Sequence, residues 1–124
     1  AFRINNGVAT DIGTLGGRGA MAFGINNSGQ VVGASNTVGS RHAFLYANGT
    51  MSDLGTLGGY QDSQAQAINN NGQVVGYSAG SNDPSINHHA RATLWNNGLI
   101  VDLEGLSNGP TNAIVSDAIS INDN

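Results

Sequence analysis

Apolar and polar positions along the chain alternate over short runs, and each run stops at an asparagine or a glycine. Ala43-Phe44-Leu45-Tyr46-Ala47 and Thr50-Met51-Ser52-Asp53-Leu54 flank Asn48-Gly49. Ala65-Gln66-Ala67-Ile68-Asn69 and Gln73-Val74-Val75-Gly76-Tyr77-Ser78 flank Asn70-Asn71-Gly72. Such runs, rich in β-branched and aromatic residues, favour strands. Asn-Gly is the strongest short hairpin signal, because both residues tolerate the positive φ that a tight turn needs. No stretch offers helical periodicity with caps. The pattern predicts an all-β chain of hairpins.

These hairpins repeat. AFRINNGVATDIGTLGG (1–17) aligns with AFLYANGTMSDLGTLGG (43–59), and ATLWNNGLIVDLEGL (92–106) is a third, weaker copy. INNSGQVVG (25–33) and INNNGQVVG (68–76) follow the first two copies, and SINDN (120–124) begins a third. Ala1 to Ala43 is a step of 42 residues and Ala43 to Ala92 a step of 49. The extra residues fall between Tyr77 and Arg91, which marks a surface loop.

Four short strands per repeat is the content of one β-propeller blade. The expected architecture is therefore all-β, tandem four-stranded antiparallel blades of a β-propeller-like repeat array, about two and a half of them. Residues 1–19 form a partial blade, 20–62 and 63–109 whole blades, and 110–124 the start of the next. A β-solenoid or an open β-sandwich is the alternative, and immediate hairpin returns argue against parallel coils. Gly33 and Gly76 are expected to leave room where neighbouring sheets approach closely. A four-stranded sheet cannot bury both faces alone, and stacking on copies does so. The chain is accordingly expected to belong to a longer array, with further repeats of the same parent chain as its neighbours.

His42-Ala43-Phe44, the DLGTLGG block (53–59) and the INNNGQVVG block (68–76) together resemble the HAF repeat family, described as extracellular repeat proteins of bacteria. The resemblance runs over nearly the whole chain. Arg91-Ala92-Thr93 and Glu104-Gly105 depart from it in the third copy. It implies a secreted or cell-surface bacterial protein, with the export signal outside this chain. It implies no catalytic residues.

Composition narrows the function classes. The net charge is −4, and the only cations are Arg3, Arg18, Arg41 and Arg91. Four scattered arginines form no basic stripe for phosphate backbones, so nucleic-acid binding is not expected. No apolar run approaches the roughly 20 residues that cross a bilayer, so membrane insertion is not expected either. The absence of cysteine removes disulfides and thiolate metal sites. With 10% charged residues and 19 glycines, the composition fits many turns between short strands better than charge-driven disorder.

Residues that recur at one repeat position are expected to be structural, since a scaffold needs them in every copy and catalysis needs one. Asp11, Asp53 and Asp102 recur, and a carboxylate before a glycine turn accepts backbone N–H groups. Gly-Thr-Leu-Gly-Gly superficially evokes a phosphate loop, but no lysine and no helix pattern follows it, so a loop joining blades is expected. The candidates for ligand contact are Asp83, His88 and His89 in the long loop, and Tyr60 and Tyr77 beside loops. No catalytic residue, cofactor or metal site is expected. The expected function is a non-catalytic extracellular module that presents a binding or scaffolding surface to proteins or glycans. The alternative is part of a carbohydrate-active propeller enzyme whose active site needs blades outside this chain.

Overall fold

The structure, a computed structural model, describes residues 2–5, 7–80, 90–103 and 121. Every regular element among them is a strand. A hairpin pairs β1 (Phe2–Asn5) with β2 (Val8–Asp11). A four-stranded sheet follows as the meander β3 (Ala20–Ile25), β4 (Val31–Asn36), β5 (Arg41–Ala47) and β6 (Thr50–Gly55). A second sheet repeats the order with β7 (Asp62–Ile68), β8 (Val74–Ala79), β9 (Arg91–Asn96) and β10 (Leu99–Asp102). All their pairings are antiparallel, and neither sheet closes on itself.

Two kinds of turn close the hairpins. Asn48-Gly49 and Asn97-Gly98 have positive φ at both residues, 53° and 81° in one and 50° and 83° in the other. This is the two-residue turn whose twist matches the flanking strands. The Ile-Asn-Asn segments close differently. Asn26 Oδ1 accepts the N–H groups of Ser28 and Gln30, both at 3.0 Å, and its Nδ2 donates to Gln30 Oε1 at 2.6 Å. Asn69 does the same with Asn71 and Gln73. The repeated Asn-x-x-x-Gln is thus a side-chain clasp around a longer turn.

Gly33 and Gly76 do not face a neighbouring sheet, contrary to the sequence expectation. The β3–β4 register shifts between Ala22 and Gly24, and the β7–β8 register shifts between Ala65 and Ala67. Each shift is a bulge that presses the opposing strand against a glycine of its own sheet. A Cβ on Gly33 would overlap the Met21 carbonyl, and one on Gly76 the Gln64 carbonyl. The close approach between sheets occurs at Gly24 instead, where a Cβ would sit 3.2 Å from Ala67 Cα.

Strand alternation sends successive side chains to opposite faces, and both faces of the first sheet are covered. Val32 and Ala43, with Leu45 and Leu54 beside them, pack on Ala65, Ile68, Val74 and Trp95 of the second sheet. Val31, Phe44 and Tyr46 point the other way and pack with Ile12, Leu15 and Met51. Buried hydroxyls then fix the sheets to each other. Ser35 Oγ accepts the Leu15 N–H at 2.8 Å, and Ser78 Oγ accepts the Leu57 N–H at 3.1 Å. Ser63 Oγ accepts the Ala43 N–H at 2.8 Å and donates to the Gly55 carbonyl at 2.7 Å.

Candidate functional site

Alternate turns of a meander lie at one end of its sheet, so each sheet has two distinct ends. One end carries the Gly-Thr-Leu-Gly-Gly loops. These loops lead from one sheet into the next, and their Leu15 and Leu57 N–H groups are taken by serine hydroxyls. The Gly17 N–H goes to the Asn36 carbonyl at 3.0 Å. A phosphate cradle needs those donors free, so the loops act as linkers. Tyr60 sits in the second loop, and its carbonyl accepts the Thr56 hydroxyl at 2.8 Å. Tyr77 lies within β8, opposite Gln64 and Ala92, near the same end. Asp83, His88 and His89 lie outside the described residues.

The recurrent aspartates have structural partners. Asp11 and Asp53 each accept the N–H two residues on, from Gly13 at 2.9 Å and Gly55 at 2.8 Å. Asp53 also takes His42 Nδ1 at 2.8 Å across the β5–β6 pair, while His42 Nε2 faces the Gln61 carbonyl at 3.1 Å. In the second sheet the same positions hold Arg91 and Asp102, with Arg91 Nε 2.9 Å from Asp102 Oδ2. The histidine of one copy and the arginine of the next therefore make the same cross-strand pair. No group of three or more His, Cys, Asp or Glu converges among the described residues.

Both members of the Arg91–Asp102 pair keep about a third of their side-chain surface in solvent. Water and salt screen such a pair, and its contribution is under about 1 kcal/mol. Asp102→Asn is expected to lower stability by no more than that, measured by urea unfolding. The difference should shrink as sodium chloride is raised from roughly 0.05 to 1 M.

The opposite end carries the asparagine turns, and there the two sheets are joined. Asn26 Nδ2 donates to the Asn69 carbonyl at 3.0 Å, and the Asn27 N–H donates to Asn70 Oδ1 at 2.8 Å. Beside this junction a cleft of about 410 Å³ opens between β6 and the β9–β10 hairpin. Leu45, Leu54 and Val74 form its apolar side, and Leu99 and Ile100 add apolar surface that is partly in solvent. Gln30, Asn70, Asn71, Asn96 and Asn97 bring amide groups to it. Trp95 also lines it. That side chain is 3% exposed, and its Nε1 is buried with no hydrogen-bond partner among the described residues. Leaving a buried donor unpaired costs about 1–3 kcal/mol, so this atom stands out among the buried side-chain polar atoms of the described residues.

The first sheet has a smaller hollow at the matching place, about 280 Å³, lined by Ser28, Gly29, Gln30, Ala47 and Asn48. Asn71, Gly72, Asn96 and Asn97 occupy four equivalent positions in the larger cleft. Four changes flank the turn of the β9–β10 hairpin: Tyr46, Ala47, Thr50 and Met51 of the first sheet become Trp95, Asn96, Leu99 and Ile100.

Comparison with known proteins finds no matching family model, no matching curated protein and no matching solved structure. The site therefore rests on its own geometry. Trp95 is a core aromatic by burial. It also lines the cleft, a position that arises from how two sheets meet. The signal available in sequence was the departure of Trp95-Asn96 and Leu99-Ile100 from Tyr46-Ala47 and Thr50-Met51 around a constant Asn-Gly turn.

Proposed function

We propose that the chain is part of a β-propeller-like array of HAF repeats and works as a non-catalytic extracellular module that binds or scaffolds proteins or glycans. What supports this reading is a division of labour among polar residues. Those that recur are spent on the frame: aspartates on glycine N–H groups, serines on inter-sheet ties, asparagines on turn clasps. Five residues that line the cleft differ between copies: Asn71, Trp95, Asn96, Leu99 and Ile100 stand where the first sheet has Ser28, Tyr46, Ala47, Thr50 and Met51. A frame held constant beneath a variable surface is the arrangement of repeat proteins that bind through one face. The two full sheets, stacked face on face with the same strand order, are consistent with successive blades. No helix among the described residues is long and apolar enough to cross a membrane.

The test is to probe glycan and surface-protein arrays with the chain, and to assay any retained ligand for chemical change. Retention of a glycan or protein that is recovered intact supports the module. Silence on both arrays, or turnover of the ligand, overturns it.

A further inference from the structure

We infer that the Ala22–Ile25 face of β3 and the open edge of β1 together form a docking surface for one more hairpin of the β3–β4 type, supplied by a further repeat. This deepens the reading of the chain as part of an array and rests on it. The second sheet shows what such a hairpin covers. Ala65 and Ile68 of β7 are buried against Val32 and Ala43 of the first sheet. Ala22 and Ile25 hold the same two positions in β3, because INNSGQVVG and INNNGQVVG align. Both are exposed, Ile25 by 59%. Ile25 pairs with Val31 and so shares its face, the one on which Ile12 and Leu15 pack. Those two residues follow β2 and cover Val31, Phe44 and Tyr46. Among the described residues no counterpart of β3–β4 lies over Ala22 and Ile25. The edge tells the same story. By sequence β1–β2 repeats β5–β6, yet β5 is paired on both sides, with β4 and β6, and β1 is paired with β2 alone. A hairpin set beside β1 as β4 is set beside β5 fills that edge and lies on β3 at once.

The asparagine turns carry the polar half of the joint. Between the two sheets, Asn26 Nδ2 donates to the Asn69 carbonyl, and the Asn27 N–H donates to Asn70 Oδ1. The first turn supplies the donors and the second the acceptors. Asn26 and Asn27 stand at the Asn69 and Asn70 positions, so the first turn holds the same acceptor pair. The Asn26 carbonyl takes the Gly29 N–H within its turn, as the Asn69 carbonyl takes that of Gly72. Asn27 is exposed, and its side chain has no hydrogen-bond partner among the described residues. The two asparagines of each block thus have separate duties. One clasps its own turn and donates onward, and the other accepts from the turn ahead. An apolar pair, a strand edge and an acceptor pair all ask for one occupant. The β3–β4 hairpin meets these three needs in its own contacts with β5 and the second sheet. An unrelated extended peptide added to the β1 edge would meet one of them.

The chain has no cysteine, so one introduced thiol reports the exposure of this face. Ile25→Cys is made in the full chain and in a chain extended by a second copy of residues 20–42 fused ahead of Ala1, as those residues stand ahead of Ala43. In the extended chain the substitution is at the original Ile25. Ile68→Cys gives the rate of a covered position. A maleimide should label Ile25→Cys quickly in the full chain. The extension should slow labelling at least roughly tenfold, toward the Ile68→Cys rate. The same residues fused in scrambled order should not slow it. Asn27→Ala should leave the urea midpoint of the full chain unchanged and should speed labelling of the extended one. Without any introduced thiol, the extended chain should also unfold at higher urea than the full chain. Circular dichroism establishes that each variant folds. Labelling or a urea midpoint unmoved by the extension, equal shielding by the scrambled one, or indifference of the extended chain to Asn27→Ala overturns the docking surface. If the glycan or protein arrays still retain a ligand in that case, the module stands without this joint. Shielding by the extension with silent arrays leaves the joint standing and overturns the binding function alone.

Discussion

Gly76→Ala is expected to abolish the native fold of the second sheet. The methyl group would overlap the Gln64 carbonyl and sit 2.9 Å from Ala65 Cα, both backbone atoms of the strand paired with it. Neither atom belongs to a side chain that can swing away. Relief requires β7 to leave the bulge at Ala65 and Ala67, and that slip carries Ile68, a core residue, out of register with Val74. Overpacking of ordinary core sites costs about 1–3 kcal/mol, and a clash against fixed backbone lies at or beyond the upper end. The expected loss is at least about 3 kcal/mol, a large part of the stability of a domain this size. Gly33→Ala should behave alike, because its Cβ meets Met21 and Ala22 in the same geometry. Gly39→Ala is the control. Its Cβ would meet nothing within 4 Å, so a change within about 0.5 kcal/mol is expected. Urea unfolding followed by circular dichroism separates these cases, and a folded, near-native Gly76→Ala protein would refute the bulge argument.

The two glycines also mark where reading the sequence reaches its limit. The copies, the Asn-Gly turns and the strand alternation are local signals, and the all-β meanders follow from them. Val31 and Val32 read as one apolar run, and the sheet sends them to different cores because it is covered on both sides. A glycine recurring in a strand signals close approach, but not which backbone approaches. At Gly33 and Gly76 it is the bulged partner strand, and at Gly24 it is the neighbouring sheet. The cleft lies one step further from sequence. Tyr60 and Tyr77 attract attention because they lie beside loops, yet they occupy the loop-linker end. The cleft opens at the asparagine end, where residues distant in sequence, such as Gln30 and Asn97, come together. That proximity is a property of sheet stacking, which no single repeat contains.

Sheet stacking is also what Ser63→Ala should weaken. Ser63 is fully buried at the start of the second sheet, and its hydroxyl serves two backbone groups of the first. One is the Ala43 N–H in β5 and the other the Gly55 carbonyl in β6. These two residues face each other where the β5–β6 register shifts, so the hydroxyl joins groups that the irregular ladder leaves apart. Alanine at this position removes both bonds, stranding the buried Ala43 N–H, while the Gly55 carbonyl is only partly buried. An unsatisfied buried group costs about 1–3 kcal/mol, so a loss of about 2 kcal/mol is expected. The loss should far exceed that of Asp102→Asn, although Asp102 carries a full charge, because water reaches the ion pair and does not reach Ser63. Native-state hydrogen exchange gives the sharper reading. Protection should fall first at the Ala43 amide and at the Leu57 amide, which depends on the same docking through Ser78. The β3–β4 ladder has its own bonds and should keep its protection longer. A Ser63→Ala protein with unchanged stability, or with exchange raised evenly over both sheets, would mean that the hydroxyl is incidental. Apolar contact through Val32, Ala65 and Trp95 would then be enough to set one sheet on the next.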